Sequence, residues 1–262
     1  MPLYIKDYIL TLLFVKYVTD RYKGDRFAEI IIPERGSFDI MITIKNDANI
    51  GEKVDKIISK LAEANNLKGV IDVAQFNDEE KIGKGKEMVD KLTELVGIFQ
   101  NPKLDFKKNR AGGDNILGDA YEYLMQNFAT ESGKSKGQFY TPAEVSRIIA
   151  KVIGIKDSVS SSQKLYNPAC GSGSLLIRAV DEAPVKITIY GQEKDVPTRG
   201  LAKMNMVLHN KASGDIAREN TLAHPYFKDD KNPKLLKRFD FCVANLPFSL
   251  KAYLIGGQQK MS

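Results

Sequence analysis

The chain has 262 residues, 43% of them hydrophobic and 27% charged. A chain of that length buries roughly three quarters of its unfolded surface, in one large domain or two modest ones. The apolar share excludes wholesale disorder, twenty Gly and ten Pro exclude a collagen-like chain, and the lack of a fixed-period repeat excludes a solenoid. A formal charge of +6 permits a polyanionic partner without demanding one. Cys170 and Cys242 make no disulfide framework, and with His209 and His224 as the only histidines a metal site is poorly supplied, so no metal is expected.

The longest apolar run, from Ile9 to Val18, is interrupted by Thr11 and Lys16 and is too short to span a bilayer. Asp7 just ahead of it is wrong for a signal peptide. A buried helix in a cytoplasmic protein is the reading, with no membrane partner. Residues 8–22 predict a helix that is apolar on most sides, and 23–49 predict loop with short irregular pieces. Val54, Ile57, Ile58 and Leu61 predict a helix over 51–64; Val89, Leu92, Val96 and Phe99 predict another over 84–100, stopped by Asn101-Pro102. The first hundred residues therefore predict a helical packing module without a catalytic motif.

From residue 112 the texture changes. Ile116 to Phe128 predict an amphipathic helix, followed by a polar loop and GQFYTP at 137–142. Thr141 suits an N-cap and Pro142 the first position of a helix running to about Ile153. After a surface linker at 156–163, strands and helices alternate. Lys164–Tyr166 lead into NPACGSG at 167–173 and an apolar helix. Val185–Tyr190 predict a strand ending in Gly191-Gln192-Glu193, and 196–209 a helix. A short strand near 215–218 leads to Asn220, and Asp240–Ala244 predict a strand ending in Asn245-Leu246-Pro247-Phe248. This is the grammar of a doubly wound α/β sheet.

Ligands of such sheets bind beyond the carboxyl ends of the strands, where Gly171–Gly173, Glu193, Asn220 and Asn245 all fall. Gly-x-Gly lets backbone approach a ligand closely. Leu176 stands where a dinucleotide fingerprint has its third glycine, and no Gly-Lys-Ser/Thr follows, so the turn suits a nucleoside without a pyrophosphate. Glu193, twenty residues past Gly173, can accept from both hydroxyls of a ribose, or else be a surface Glu in a charged turn. Asn245 offers an amide oxygen and Leu246 a carbonyl to an amino group, with Phe248 to cover a flat ring; the same four residues read equally as a strand-to-loop turn with a core Phe.

The order GQFYTP, NPACGSG, Glu193, NLPF resembles that of amino-group DNA methyltransferases whose cofactor region precedes the catalytic region. LLFVKYVTDRY, LGDAYEYLMQNFA and GKSKGQFYTPAEVSRI extend the likeness, over nearly the whole chain, to the modification subunit of type I restriction-modification systems. The resemblance implies a Rossmann-like S-adenosylmethionine-dependent methyltransferase sheet over 111–262, preceded by a helical domain over 1–110. It implies that the cofactor's amino-acid part lies among Gln138, Phe139, Tyr140, Thr141, Pro142, Gly171, Ser172 and Gly173. Glu193 would bind its ribose and Asn220 would sit near its adenine. The target adenine of double-stranded DNA would be flipped out of the duplex. Asn245 and the Leu246 carbonyl would hold its amino nitrogen, Pro247 would belong to the same turn, and Phe248 would stack on the base. Partners implied are DNA and the specificity and restriction subunits of the same system.

Two positions depart from the family pattern. Asn167 stands where relatives usually carry Asp, which alters a hydrogen bond to the cofactor. Leu246 replaces the first Pro of Asn-Pro-Pro-Phe, which loosens the turn. Relatives continue with more strands and a helical part beyond this point, so the sheet is expected to be incomplete at its C-terminal side. Two alternatives accompany this reading. One is a fragment that binds cofactor or another subunit without efficient catalysis. The other is a methyltransferase acting on RNA or protein, since the Asn-x-Pro-Phe turn alone does not separate these substrates.

Overall fold

The computed structural model describes residues 5–108, 121–123 and 141–246. Of the helix expected over 116–128, only 121–123 fall within the described residues, and these are helical. The chain divides into two compact units, residues 1–117 and 118–262.

Among the described residues of the first unit the regular elements are all helices, chiefly α1 Ile5–Tyr22, α2 Phe38–Thr43, α3 Ile50–Ala64, α4 Glu79–Ile82 and α5 Lys86–Phe99. Leu10, Leu12, Leu13, Phe14, Val15, Tyr17 and Val18 make α1 apolar on most sides, and all are buried. A helix of that kind is stable only when largely surrounded, and α2, α5 and the turn at Phe106–Lys108 pack on it. Thr19 Oγ1 accepts the Phe38 N–H at 2.9 Å, and Asp20 accepts the Phe106 N–H at 3.1 Å while paired with Lys16. α3 presents Val54, Ile57, Ile58 and Leu61 to the core as the spacing predicts. On α5 the buried line is Met88, Leu92, Val96 and Phe99; Val89 lies half-buried beside it, because position 88 lies one helical step before Leu92. α2 lies within the stretch expected to be irregular. Its six residues are too few to show a helical period. No helix among the described residues is long and apolar enough to cross a membrane.

The second unit is an α/β structure: α6 Ala143–Val152, β1 Lys164–Asn167, α7 Ser174–Asp181, β2 Thr188–Glu193, α8 Val196–Leu208, β3 Asp215–Arg218 and β4 Phe241–Cys242. The sheet order is β3-β2-β1-β4 and every pair is parallel. The chain steps from β1 to β2 to β3 in one direction, then returns to the far side of β1 as β4. The strand order therefore reverses between β1 and β4, where sheets of this kind bind ligands. Alternate strand residues divide the two faces. Leu165, Ile189, Ile216 and Val243 enter the core with Leu176 of α7, Met206 of α8 and Ala150 of α6. On the other side Tyr166 stacks on Phe239, with ring centroids 4.3 Å apart, and Tyr190 meets Phe227 edge-on.

Three differences from the expected boundaries bear on the site, while the helix ends otherwise shift by one to three residues. The strand over Val185–Tyr190 is shifted to Thr188–Glu193, because its ladder begins opposite Lys164 of β1 and continues against Ala217 and Arg218 of β3. The strand over Asp240–Ala244 shrinks to Phe241–Cys242. Hydrogen bonds to β1 continue one residue further on each side, from Asp240 N–H to the Lys164 carbonyl and from Val243 N–H to the Tyr166 carbonyl. Pro142, not Thr141, is the N-cap of α6, and its carbonyl accepts the Ser146 N–H at 2.9 Å.

At Gly191 the sheet leaves no room for a side chain between β3, the β1 turn and α7. A Cβ built there would lie 2.7 Å from Ile216 Cδ1, 3.0 Å from Cys170 Sγ and 3.1 Å from Leu176 Cδ1. Gly191→Ala is expected to destabilise the second unit by about 1–3 kcal/mol through overpacking, read as a lower urea midpoint than wild type. An unchanged midpoint would contradict the packing described.

Candidate functional site

The carboxyl ends of the parallel strands carry the candidate residues. β1 ends at Asn167, whose Oδ1 accepts the Ala169 N–H at 2.9 Å and bends the chain into the glycine turn. Asn167 is buried, so its side chain shapes the turn from within. Gly171 (φ +57°) and Gly173 (φ +79°) adopt the left-handed conformation that glycine tolerates without strain. The Cys170 N–H reaches the Gln192 carbonyl at 3.0 Å, and the Gly173 N–H reaches the Cys170 carbonyl at 2.9 Å. Cys170 itself is buried, which pushes its thiol well above the ordinary value and keeps it protonated.

Glu193 closes β2 beside this turn. Its Oε2 accepts the Gly171 N–H at 3.1 Å and its Oε1 the Asp195 N–H at 2.8 Å. Burial raises its pKa above the usual carboxylate range, and the two backbone donors work against that rise. Each carboxylate oxygen has room for a second donor. The carboxylate thus ties the β1 turn to the β2 exit while retaining acceptor capacity. Beyond it, Asp195 caps α8 by accepting from the Thr198 N–H at 3.1 Å.

The β3 exit carries Asn220. Its Oδ1 accepts the Leu222 N–H at 3.1 Å and the Ala223 N–H at 3.4 Å, so the side chain closes its own turn. Thr221 fastens that turn to the β1 loop by donating to the Pro168 carbonyl. Gln192, fully buried on β2, reinforces it. Its Nε2 donates to the His224 carbonyl at 3.2 Å, and its Oε1 accepts the Tyr226 N–H at 3.2 Å. The β4 exit leads to Asn245, half-buried, and to Leu246, which is exposed. Asn245 Nδ2 donates to Thr141 Oγ1 at 3.3 Å. The structure thus joins the GQFYTP and NLPF segments, 104 residues apart, through the hydroxyl expected to cap α6. Gln138, Phe139, Tyr140, Pro247 and Phe248 lie outside the described residues. No group of three or more His, Cys, Asp or Glu among the described residues is placed to hold a metal ion.

A buried polar cluster lies behind the glycine turn. Asn205 of α8 donates from Nδ2 to the Ser172 carbonyl at 3.1 Å and lies 3.5 Å from Glu122 Oε1. Arg178 of α7 pairs with Glu122 Oε2 at 3.0 Å. His209 shares 3.1 Å between Nδ1 and the Asn205 carbonyl, which makes Nδ1 the protonated nitrogen of a neutral ring. Sequence reasoning passed over Asn205, Gln192 and Thr221. The available signal was a polar residue set in an otherwise apolar helix or strand, as in Met204-Asn205-Met206.

Residues 112–262, well over half of the chain, match the family described as N-6 DNA Methylase. The chain belongs to that family. Among curated relatives, the type I restriction enzyme MpnII methylase subunit of Mycoplasma pneumoniae is 37% identical over 170 residues, 62% of this chain and 30% of the relative. The MjaVII methylase subunit of Methanocaldococcus jannaschii is 31% identical over 218 residues, 80% of this chain and 33% of the relative. The chain thus spans about a third of the length of these curated relatives. Among solved structures, the type I restriction-modification methyltransferase subunit from Streptococcus thermophilus superposes with a TM-score of 0.72 at 21% identity. That superposition covers 93% of this chain and 59% of the other. A modification subunit of a type I restriction enzyme from Vibrio vulnificus gives 0.56 at 19% identity, covering 85% and 51%. These likenesses show the fold, an α/β parallel sheet with a helical part ahead of it.

Burial holds the His209 imidazole below its ordinary pKa, with the Glu122 carboxylate opposing. The folded state therefore binds this proton less tightly than the unfolded chain. The stabilisation is present above the ordinary His value of about 6.5 and lost as pH falls through and below it. In urea titrations between about pH 7 and pH 5, His209→Asn is expected to lose less stability than wild type. Parallel pH profiles for the two proteins would contradict a buried neutral ring.

Proposed function

We propose that this chain is the cofactor-binding and base-binding part of a type I modification subunit, transferring methyl from S-adenosylmethionine to the N6 amino group of adenine in DNA. One observation carries the reading. Gly171 and Glu193 are joined by a hydrogen bond at the ends of adjacent parallel strands, and Asn245 follows the strand just across the reversal of strand order. Family membership supports it, as do relatives that bear the name of methylase subunits.

The residues fit such a cofactor. The turn Asn167–Gly173 contains no Lys or Arg, which suits a nucleoside bearing an amino acid better than one bearing phosphates. Glu193 keeps acceptor positions for two neighbouring ribose hydroxyls after serving Gly171 and Asp195. Gly171, Ser172 and Gly173, with Gln138, Phe139, Tyr140, Thr141 and Pro142, would surround the amino-acid part. Asn167 would act through the bend that it holds, and Asn220 through the loop bordering the adenine. S-adenosylmethionine supplies a methyl group already activated on a positively charged sulfur.

What remains for the protein is alignment. Because Thr141 takes the Asn245 Nδ2, the amide oxygen is the atom left to face a substrate. Asn245 Oδ1 and the Leu246 carbonyl would accept the two hydrogens of the target amino group. Pro247 would shape that turn and Phe248 would stack on the base, which must leave the duplex to be reached. We further propose that the first unit is the helical domain expected over 1–110 and the second the catalytic domain over 111–262. The protein would work in the cytoplasm, with a specificity subunit choosing the DNA site and a restriction subunit joining the complex.

Titration calorimetry of the chain with S-adenosylmethionine is expected to show binding, and Glu193→Ala to weaken it by about tenfold or more. With the specificity subunit added, labelled methyl should appear on adenine in DNA, and Asn245→Ala should slow its transfer by about a hundredfold. Label on RNA or protein with none on DNA would overturn the substrate assignment; no cofactor binding by wild type would overturn the site.

A further inference from the structure

The segment LGDAYEYLMQNFA has no part in the reaction outlined above, yet Glu122 within it is buried beside the glycine turn. A buried carboxylate has to be neutralised and hydrogen-bonded. Arg178 supplies the charge at 3.0 Å from Oε2. Glu122 Oε1 instead faces Asn205 Nδ2. Asn205 is fully buried, and its Nδ2 also donates to the Ser172 carbonyl at 3.1 Å. Its Oδ1 is buried without a hydrogen-bond partner among the described residues.

That unpartnered oxygen is informative. Rotating the amide by half a turn would aim Oδ1 at the Ser172 carbonyl and at the Glu122 carboxylate, opposing acceptor to acceptor. The Ser172 carbonyl and Glu122 together fix which end of the amide faces the turn, and the structure tolerates an unsatisfied acceptor to keep it so. The Ser172 carbonyl and the Gly173 N–H belong to one peptide unit. Asn205 holds its oxygen and the Cys170 carbonyl holds its hydrogen. Glu193 holds the N–H of the peptide between Cys170 and Gly171. The peptide between Gly171 and Ser172 is consequently oriented by two fixed neighbours before any ligand arrives.

We propose that Asn205 is a positioning residue for the cofactor turn, with Glu122 helping to set the orientation of its amide. α8 then serves the site at both ends: Asp195, before its first turn, donates to Glu193, and Asn205, near its last turn, holds Ser172. The proposal deepens the function above and rests on it for the identity of the ligand, S-adenosylmethionine. Its effect on the turn does not depend on that identity.

Two variants and two readouts test it. In Asn205→Ala, hydrogen exchange at Gly173 is expected to speed up by about tenfold while Ile189 and Ile216 in the sheet stay protected, and the dissociation constant for S-adenosylmethionine to rise by about tenfold. Asn205→Asp keeps the shape of the side chain. Buried beside Glu122, with Arg178 and His209 as the other charged or titratable groups around it, the introduced carboxyl has a raised pKa. Its protonated form can donate to Ser172 and its ionised form cannot. Affinity relative to wild type is therefore expected to recover at about pH 5.5 and to fall at about pH 8.5. A residue that merely fills space would give no such dependence. Wild-type affinity and unchanged Gly173 exchange in Asn205→Ala would overturn the proposal. So would a flat pH ratio for Asn205→Asp, which decides the matter should Asn205→Ala fail to fold. If wild type itself binds no S-adenosylmethionine, the functional assignment falls, and Gly173 exchange still decides whether Asn205 holds the turn.

Discussion

The hydrogen bond from the Gly171 N–H to Glu193 is the constraint around which the second unit is arranged. It joins the exits of two adjacent parallel strands and places a carboxylate beside a glycine turn. Such a carboxylate is costly to bury, and the burial that raises its pKa is opposed in part by backbone donors, Asp195 and Gly171 foremost. Those donors exist because the chain turns sharply at both places, after β1 through left-handed glycines and after β2 into the capped start of α8. Sheet, turn and helix start therefore depend on one another.

A second constraint lies one strand away. Thr141 and Asn245 come from segments with no local relation, and a single hydroxyl–amide contact unites them. The parallel sheet delivers every strand exit to the same end, and the start of α6 meets the β4 exit there. A binding edge of this kind is a property of topology first and of residue identity second. It explains how this fold is found in proteins only about one fifth identical to this one.

The fold class could be read from the sequence because its signals are local. Alternating strand and helix patterns, Gly-x-Gly after a short apolar strand, and the helical spacing of Val54, Ile57, Ile58 and Leu61 each act over a few residues. The strand exits were legible for the same reason. What the sequence concealed depends on partners distant in the chain. β2 begins at Thr188 because β1 begins opposite it, not because Val185–Ile187 lack strand character. Thr141 has the chemistry of a helix cap, but its hydroxyl is committed to Asn245. Asn205 and Gln192 are polar residues in apolar surroundings, and only the assembled unit shows that each holds a loop beside the strand exits.

The burial of α1 has a consequence for biosynthesis. α1 is translated ahead of α2, α5 and the turn at Phe106–Lys108 that pack on it, and one of these contacts, between Asp20 and Phe106, spans 86 residues. Until Phe106 leaves the ribosome, the nascent chain carries a greasy rod that is only partly sheathed. Such a segment is a natural client for chaperones.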